Sequence, residues 1–238
     1  DHSWTSGDPK RASFDGLVEA VEGWPEPTYR FRLATREELH RLSPLPINKW
    51  QHGDEPVIGE PIQVVEDGPI RTTIEAVFVS ECSACFRQYV FDRPTGRLTL
   101  RDRYFMNHRD AMLKLLVPLG FEPACSRSES LFSVAERSPT ELHEDRHNQR
   151  WVAVSNAQDQ ATLGVVNNAS FAHSLTRQEL GLNVLRTPAY ASFIMRPDHP
   201  HHGHRFTPRQ DQGEHRVDFT IVPQRHRDEW ELTRIADE

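Results

Sequence analysis

From residue 62 onward the chain is a succession of short segments in which apolar and polar residues alternate, each ended by a cluster of Pro, Gly, Asn or Asp. In residues 70–79, Ile70, Thr72, Ile74, Ala76 and Phe78 fall on one face of an extended chain, the period-2 pattern of a strand. Residues 97–105 repeat it. Leu98 and Leu100 alternate with Thr99 and Arg101, as in a half-buried strand of an antiparallel sheet. Asp92-Arg93-Pro94-Thr95-Gly96 supplies turn chemistry between 86–91 and 97–105 and predicts a β-hairpin. Further strands are predicted over 62–65, 112–117, 131–134, 150–155, 163–167, 181–186 and 216–222. No long helical pattern separates them. The expected fold is mainly β, a large antiparallel β-sandwich with few short helices.

Residues 1–60 read differently. Pro25, Pro27, Pro44, Pro46 and Pro56 interrupt them, and they are expected to form an irregular N-terminal segment packed on a sandwich spanning 61–223. Two short helices are predicted there, over 14–21 and 35–42. In the second, Thr35 precedes Glu38 by three residues, a capping-box spacing, and Pro44 stops the helix. Residues 224–238 are expected to be helical, with no Gly or Pro stop, as in a tail that continues.

Composition narrows the partners. The chain has 238 residues, 35 acidic and 28 basic, a net charge of −7, and its only lysines are Lys10, Lys49 and Lys114. That balance lacks the basic footprint of a nucleic-acid binder, so no nucleic acid is expected. No run of about 18 apolar residues predicts a membrane span. Asp1-His2-Ser3-Trp4 has neither a basic nor an apolar leader region. Three cysteines do not make a disulfide framework, so a reducing, cytoplasmic location is expected. A hydrophobic content of 37% is low, but 5 Trp, 12 Phe and 4 Tyr argue for an ordered core.

Several clusters invite chemistry. His199-Pro200-His201-His202-Gly203-His204 is dense in metal-binding imidazoles, yet its Pro and Gly read as a solvated loop. Cys82-Ser83-Ala84-Cys85 is a CxxC without a second thiol pair, and in an extended segment its two thiols point to opposite faces. His215 sits in the turn Asp211-Gln212-Gly213-Glu214-His215, where bonding to backbone is the ordinary role. Arg186 closes the run Leu182-Asn183-Val184-Leu185. At a strand end its planar fork can reach a cleft and suits carboxylates or vicinal hydroxyls. With 35 acids, spacing alone selects no carboxylate pair for glycoside chemistry.

Blocks in a fixed order over about residues 60–223 resemble the C-terminal β region of bacterial α-mannosidases of glycoside hydrolase family 38. They are Glu66-Asp67-Gly68-Pro69-Ile70-Arg71; Leu98-Thr99-Leu100-Arg101-Asp102-Arg103 with Met112-Leu113-Lys114-Leu115 and Pro118; and Glu136-Arg137 with Gln149-Arg150-Trp151-Val152-Ala153-Val154-Ser155. Gly164-Val165-Val166-Asn167-Asn168, Leu182-Asn183-Val184-Leu185-Arg186-Thr187-Pro188-Ala189-Tyr190 and Asp211-Gln212-Gly213-Glu214-His215 with Phe219 follow. The chain departs from the family at Ser170-Phe171-Ala172-His173, where members usually carry Gly.

The resemblance implies a galactose-mutarotase-like supersandwich. It also implies that the nucleophile and a divalent metal, usually zinc, belong to an N-terminal catalytic domain outside these residues. No catalytic residue, metal ligand or cofactor is then expected in this chain, and Arg186 is carried over as a substrate-binding residue. The implied role is a β-sandwich that supports and lines the cleft of that catalytic domain, facing an α-mannoside or other carbohydrate, and compatible with a homo-oligomer. The alternatives are a stand-alone carbohydrate-binding module stacking sugars on Trp24, Trp50 or Trp230, and a cupin-type metal enzyme using residues 199–204 and His215.

Overall fold

The computed structural model describes residues 11–13, 18–21, 31–42, 60–109, 111–140, 144–158, 160–188 and 210–238. Two antiparallel sheets face one another. The six-stranded sheet runs in the order β1 (Arg11–Ser13), β2 (Val18–Val21), β8 (Met112–Pro118), β15 (Glu179–Arg186), β14 (Ala172–Leu175), β11 (Arg146–His147). The ten-stranded sheet runs β10 (Ser133–Arg137), β9 (Cys125–Ser130), β12 (Trp151–Ser155), β13 (Thr162–Asn167), β16 (Gly213–Gln224), β7 (Leu98–Met106), β6 (Ala84–Asp92), β5 (Arg71–Val79). At its far edge β3 (Arg32–Leu33) and β4 (Ile62–Asp67) both pair with β5. The mainly-β antiparallel sandwich read from the sequence is the fold observed.

Alternation builds the core. Along β7 the inward positions Leu98, Leu100, Asp102, Tyr104 and Met106 alternate with Thr99, Arg101, Arg103 and Phe105. Leu113, Leu115, Leu180, Leu182 and Val184 of the six-stranded sheet meet Phe78, Leu100, Val165, Val217 and Phe219 of the other in one buried cluster.

The opposite, outer face of the ten-stranded sheet carries a helix at each end. α1 (Arg36–Leu42) sets Leu39 on Val77, Val79 and Ala84. Its start is the predicted capping box: the Glu38 amide donates to Thr35 Oγ1 at 3.3 Å and the Thr35 amide to Glu38 Oε2 at 2.9 Å. α2 (Glu229–Asp237) is capped by Asp228, whose side chain accepts from the Glu231 amide at 3.0 Å. It packs Leu232 on Trp151, Val166 and Val222. Gly164 permits that approach, because a Cβ there would overlap Leu232 Cδ2.

Two segments differ from expectation. Residues 18–21, predicted helical within 14–21, are strand β2, because Val18-Glu19-Ala20-Val21 pairs antiparallel with β8 and cross-strand bonding overrides a weak local helical pattern. Leu131 and Phe132, predicted as the start of a strand, form the turn between β9 and β10, with Phe132 at φ 59°. The Asp92–Gly96 turn is as read: the Thr95 amide donates to Asp92 Oδ1 at 2.9 Å and Gly96 takes φ 69°.

Candidate functional site

Between α1 and α2 no described helix covers the outer face of the ten-stranded sheet, which forms a trough of about 480 Å³. Its floor follows from strand register. Gln63, Glu75, Gln88, Arg101 and Asp218 stand side by side on β4, β5, β6, β7 and β16. The next row holds Val77, Phe86, Arg103 and Arg216. Glu60 and Pro61 close the edge.

Most polar groups on this face are already paired. Gln88 Nε2 donates to Glu75 Oε1 at 2.6 Å and Gln63 Nε2 to Glu75 Oε2 at 3.4 Å. Arg103 grips Glu214 through Nε and Nη2 at 2.8 and 3.0 Å, and Arg216 shares the same carboxylate at 3.1 Å. The hydrogen bonds from Arg103, then Arg216, hold the Glu214 carboxyl down to about 2. Arg103 also lies 4.8 Å above the Phe105 ring, and Phe105 meets Phe86 edge-on at 5.7 Å.

Arg101 and Asp218 are the exception. They are register partners on neighbouring strands and carry opposite charges, yet no hydrogen bond or ion pair joins them. The Asp218 amide donates to Asn168 Oδ1 at 2.9 Å, while its carboxylate is half-buried in the trough. Burial raises the pKa of that carboxyl, with Arg101 opposing the rise.

The two acids of the floor row, Glu75 and Asp218, do not make a pair for glycoside cleavage, and of the other lining acids Glu60 is bound by Arg36 and Asp102 by Arg87. Glu75 and Asp218 are three strand spacings apart, about 14 Å at the backbone, against roughly 5–10 Å between the carboxyls of glycosidase pairs. Gln88 and Arg101 stand between them. Among the described residues no three His, Cys, Asp or Glu side chains gather to hold a metal ion. The donor set described here therefore does not fit the zinc centre that the family resemblance implies.

The residues singled out from the sequence lie elsewhere. Arg186 is exposed at the end of β15, on the six-stranded sheet, and does not line the trough. His215 bonds to the Asp211 carbonyl through Nε2 at 2.8 Å, the backbone-satisfied turn residue expected. Cys82 is exposed and Cys85 buried, so the CxxC does not present two thiols to one face. Cys82 Sγ lies 3.3 Å from Nδ1 and 4.0 Å from Nε2 of His108. A sulfur in line with the Nδ1 lone pair would be farther from Nε2, so the thiol rests beside the ring rather than aligned for proton transfer. Trp230 is 85% exposed on α2, outside the trough. Trp24, Trp50 and residues 199–204 lie outside the described residues.

The trough row was missed in the sequence. Its signal is the polar half of each alternating strand, but nothing local reveals that β7 pairs with β16, more than a hundred residues away.

No protein-family model matches the chain, and no curated protein matches it. Solved structures do. An α-mannosidase from Enterococcus faecalis V583 superposes with a TM-score of 0.59 at 13% identity, over 73% of this chain and 23% of that one. A glycosyl hydrolase family 38 protein from Enterococcus faecalis gives 0.57 at 12% identity, with the same coverage. An α-galactosidase from Lactobacillus brevis gives 0.45 at 10% identity, over 91% of this chain and 31% of that one. This chain thus spans about a quarter of the length of the α-mannosidase it resembles. What it shares with the family 38 structures is the fold, a β-sandwich of the kind found in glycoside hydrolases.

Proposed function

We propose that this chain is the β-sandwich part of an α-mannosidase-like glycoside hydrolase, supporting and lining the cleft of a separate, metal-dependent catalytic domain and performing no hydrolysis by itself. The observation that carries this reading is the trough, whose two floor carboxylates, Glu75 and Asp218, are too far apart to act as a glycosidase pair. The nucleophile and the divalent metal, zinc by resemblance, are assigned to the partner domain. The β-sandwich likeness to the Enterococcus faecalis α-mannosidase supports the pairing with such a domain.

A second feature supports a docking role. By register Ile62, Val64 and Phe91 share the face of Ala76, whose neighbours deeper in the molecule form the core. At this edge they are 53%, 62% and 42% exposed, and nearby Ile70 is 67% exposed. An apolar stripe of this kind is what a covered inter-domain surface leaves behind.

The test is hydrolysis of a chromogenic α-mannoside by the purified chain, with and without added zinc. No turnover is expected. Turnover that a chelator abolishes would overturn the non-catalytic assignment.

A further inference from the structure

We infer that Arg101 and Asp218, with the ring of Phe86 in the adjacent row, form a subsite that binds a vicinal diol of a neutral pyranose. This deepens the glycoside hydrolase-associated role proposed above and rests on it, but it does not depend on the parent being a mannosidase.

The argument starts from pairing. On this sheet Arg and acid close on the diagonal between neighbouring strands: Arg103 on Glu214 at 2.8 Å, and Arg71 on Glu66 at 2.7 Å. Arg97 likewise reaches Glu231 of α2 at 3.0 Å. Arg101 and Asp218 stand directly opposite one another by register but stay apart. The separation leaves a guanidinium fork as donor and a carboxylate as acceptor, both turned into a trough of about 480 Å³. That volume lies within the roughly 300–1,000 Å³ usual for small-ligand sites.

Two adjacent hydroxyls of a sugar match such a gap. One donates to the Asp218 carboxylate while its neighbour accepts from Arg101, so each hydroxyl meets a charged partner. A mobile, fully solvated acid would gain little from this. Asp218 is half-buried, so a hydroxyl replaces hydration it has already lost. Phe86 lies in the adjacent row of the same trough and offers an apolar surface to the C–H face of the ring.

The test is a titration of the isotopically labelled chain with methyl α-mannopyranoside and with its 2-deoxy, 3-deoxy and 4-deoxy analogues, followed by amide chemical shifts. Binding in the millimolar range is expected, with shifts centred on Phe86, Arg101 and Asp218. At least one deoxy analogue should bind about tenfold more weakly, the loss expected for one charge-assisted hydrogen bond. Arg101→Met and Asp218→Asn should each weaken binding by about tenfold or more, whereas Arg71→Met, outside the trough, should leave it within twofold. Thermal unfolding of each variant separates lost binding from lost fold. Binding unchanged in both Arg101→Met and Asp218→Asn would overturn the subsite, as would no binding at all or shifts centred on Trp230. Hydrolysis by the chain alone would overturn the non-catalytic reading while leaving the subsite standing, so the two failures are distinguishable.

Discussion

Strand β7 carries two neighbouring residues, Arg101 and Asp102, that meet opposite fates. Asp102 points into the core and closes on Arg87 of β6 through two bonds at 2.6 and 2.5 Å, with Tyr104 donating at 2.5 Å. Both side chains of that pair are 0% exposed. Arg101 points the other way, faces Asp218 of β16, and makes no bond to it. A charge sealed between two sheets must be paired, because leaving it alone costs several kcal/mol. A charge on an open face carries no such obligation, so its donors and acceptors remain available. Structure consumes the polar chemistry of the core face, and the outer face keeps some in reserve.

The largest expected effect is on the closed pair. Asp102→Asn or Arg87→Met leaves one buried partner uncompensated and should cost about 3–5 kcal/mol, read as a lower urea midpoint. Arg87 is already strained in this sense, because its Nη1 is buried without a partner. The double variant Arg87→Met/Asp102→Leu should recover most of the loss. If the single variants cost no more than Arg101→Met does, the contrast between the two faces collapses.

Acid should also find the core before the surface. Burial holds His173 and His108 down to about 4 from an ordinary value of 6.5. Between those values the unfolded chain takes up protons that the folded chain refuses, so stability falls as pH drops from 6.5 towards 4. For His173, bonded to Ser126 and Asn148 inside the sandwich at 3.2 and 3.3 Å, the loss is about 3 kcal/mol. Replacing it by Asn should flatten its share of the pH dependence of the unfolding midpoint. A midpoint flat from pH 7 to 4 in the parent chain would contradict this.

Next in size is the contact that seats α2. Gly164→Ala should push Leu232 away and cost about 1–3 kcal/mol, the usual range for overpacking. Combining it with Leu232→Ala should cost less than the two single losses added together, because the clash disappears. Additive losses would mean the helix does not depend on that close approach.

The smallest effect on stability is expected at the open pair. Arg101→Met removes no bond and should change the unfolding free energy by less than about 0.5 kcal/mol. A larger loss would show that Arg101 is structural after all.

How much of this was legible in the sequence depended on whether the signal was local. The strands of β5, β7 and β8 were readable because each has an apolar stripe at every second position. β9, with Cys125-Ser126-Arg127-Ser128-Glu129-Ser130, was not, since its buried positions are serines. Asp102 and Arg87 sit on inward stripes that are otherwise apolar, and continuing the alternation of Leu98 and Leu100 would have flagged Asp102. The capping box at Thr35 and the turn at Asp92 were legible because a few adjacent residues decide them. The trough was not. It needs the register of β4, β5, β6, β7 and β16 together, and long-range pairing leaves no mark in any single segment. Arg186 stands out through its strand-end position, a local cue, whereas Arg101 differs from its neighbours only in what it fails to touch.

The central claim is that the outer face, and not the core face or α2, is where this molecule meets sugar. Chemical-shift mapping of the labelled chain with methyl α-mannopyranoside tests it most directly. Saturable shifts at Phe86, Arg101 and Asp218, with the amides around Trp230 still, are the predicted result. A spectrum unchanged at millimolar sugar, or shifts confined to α2 and Arg186, would contradict it.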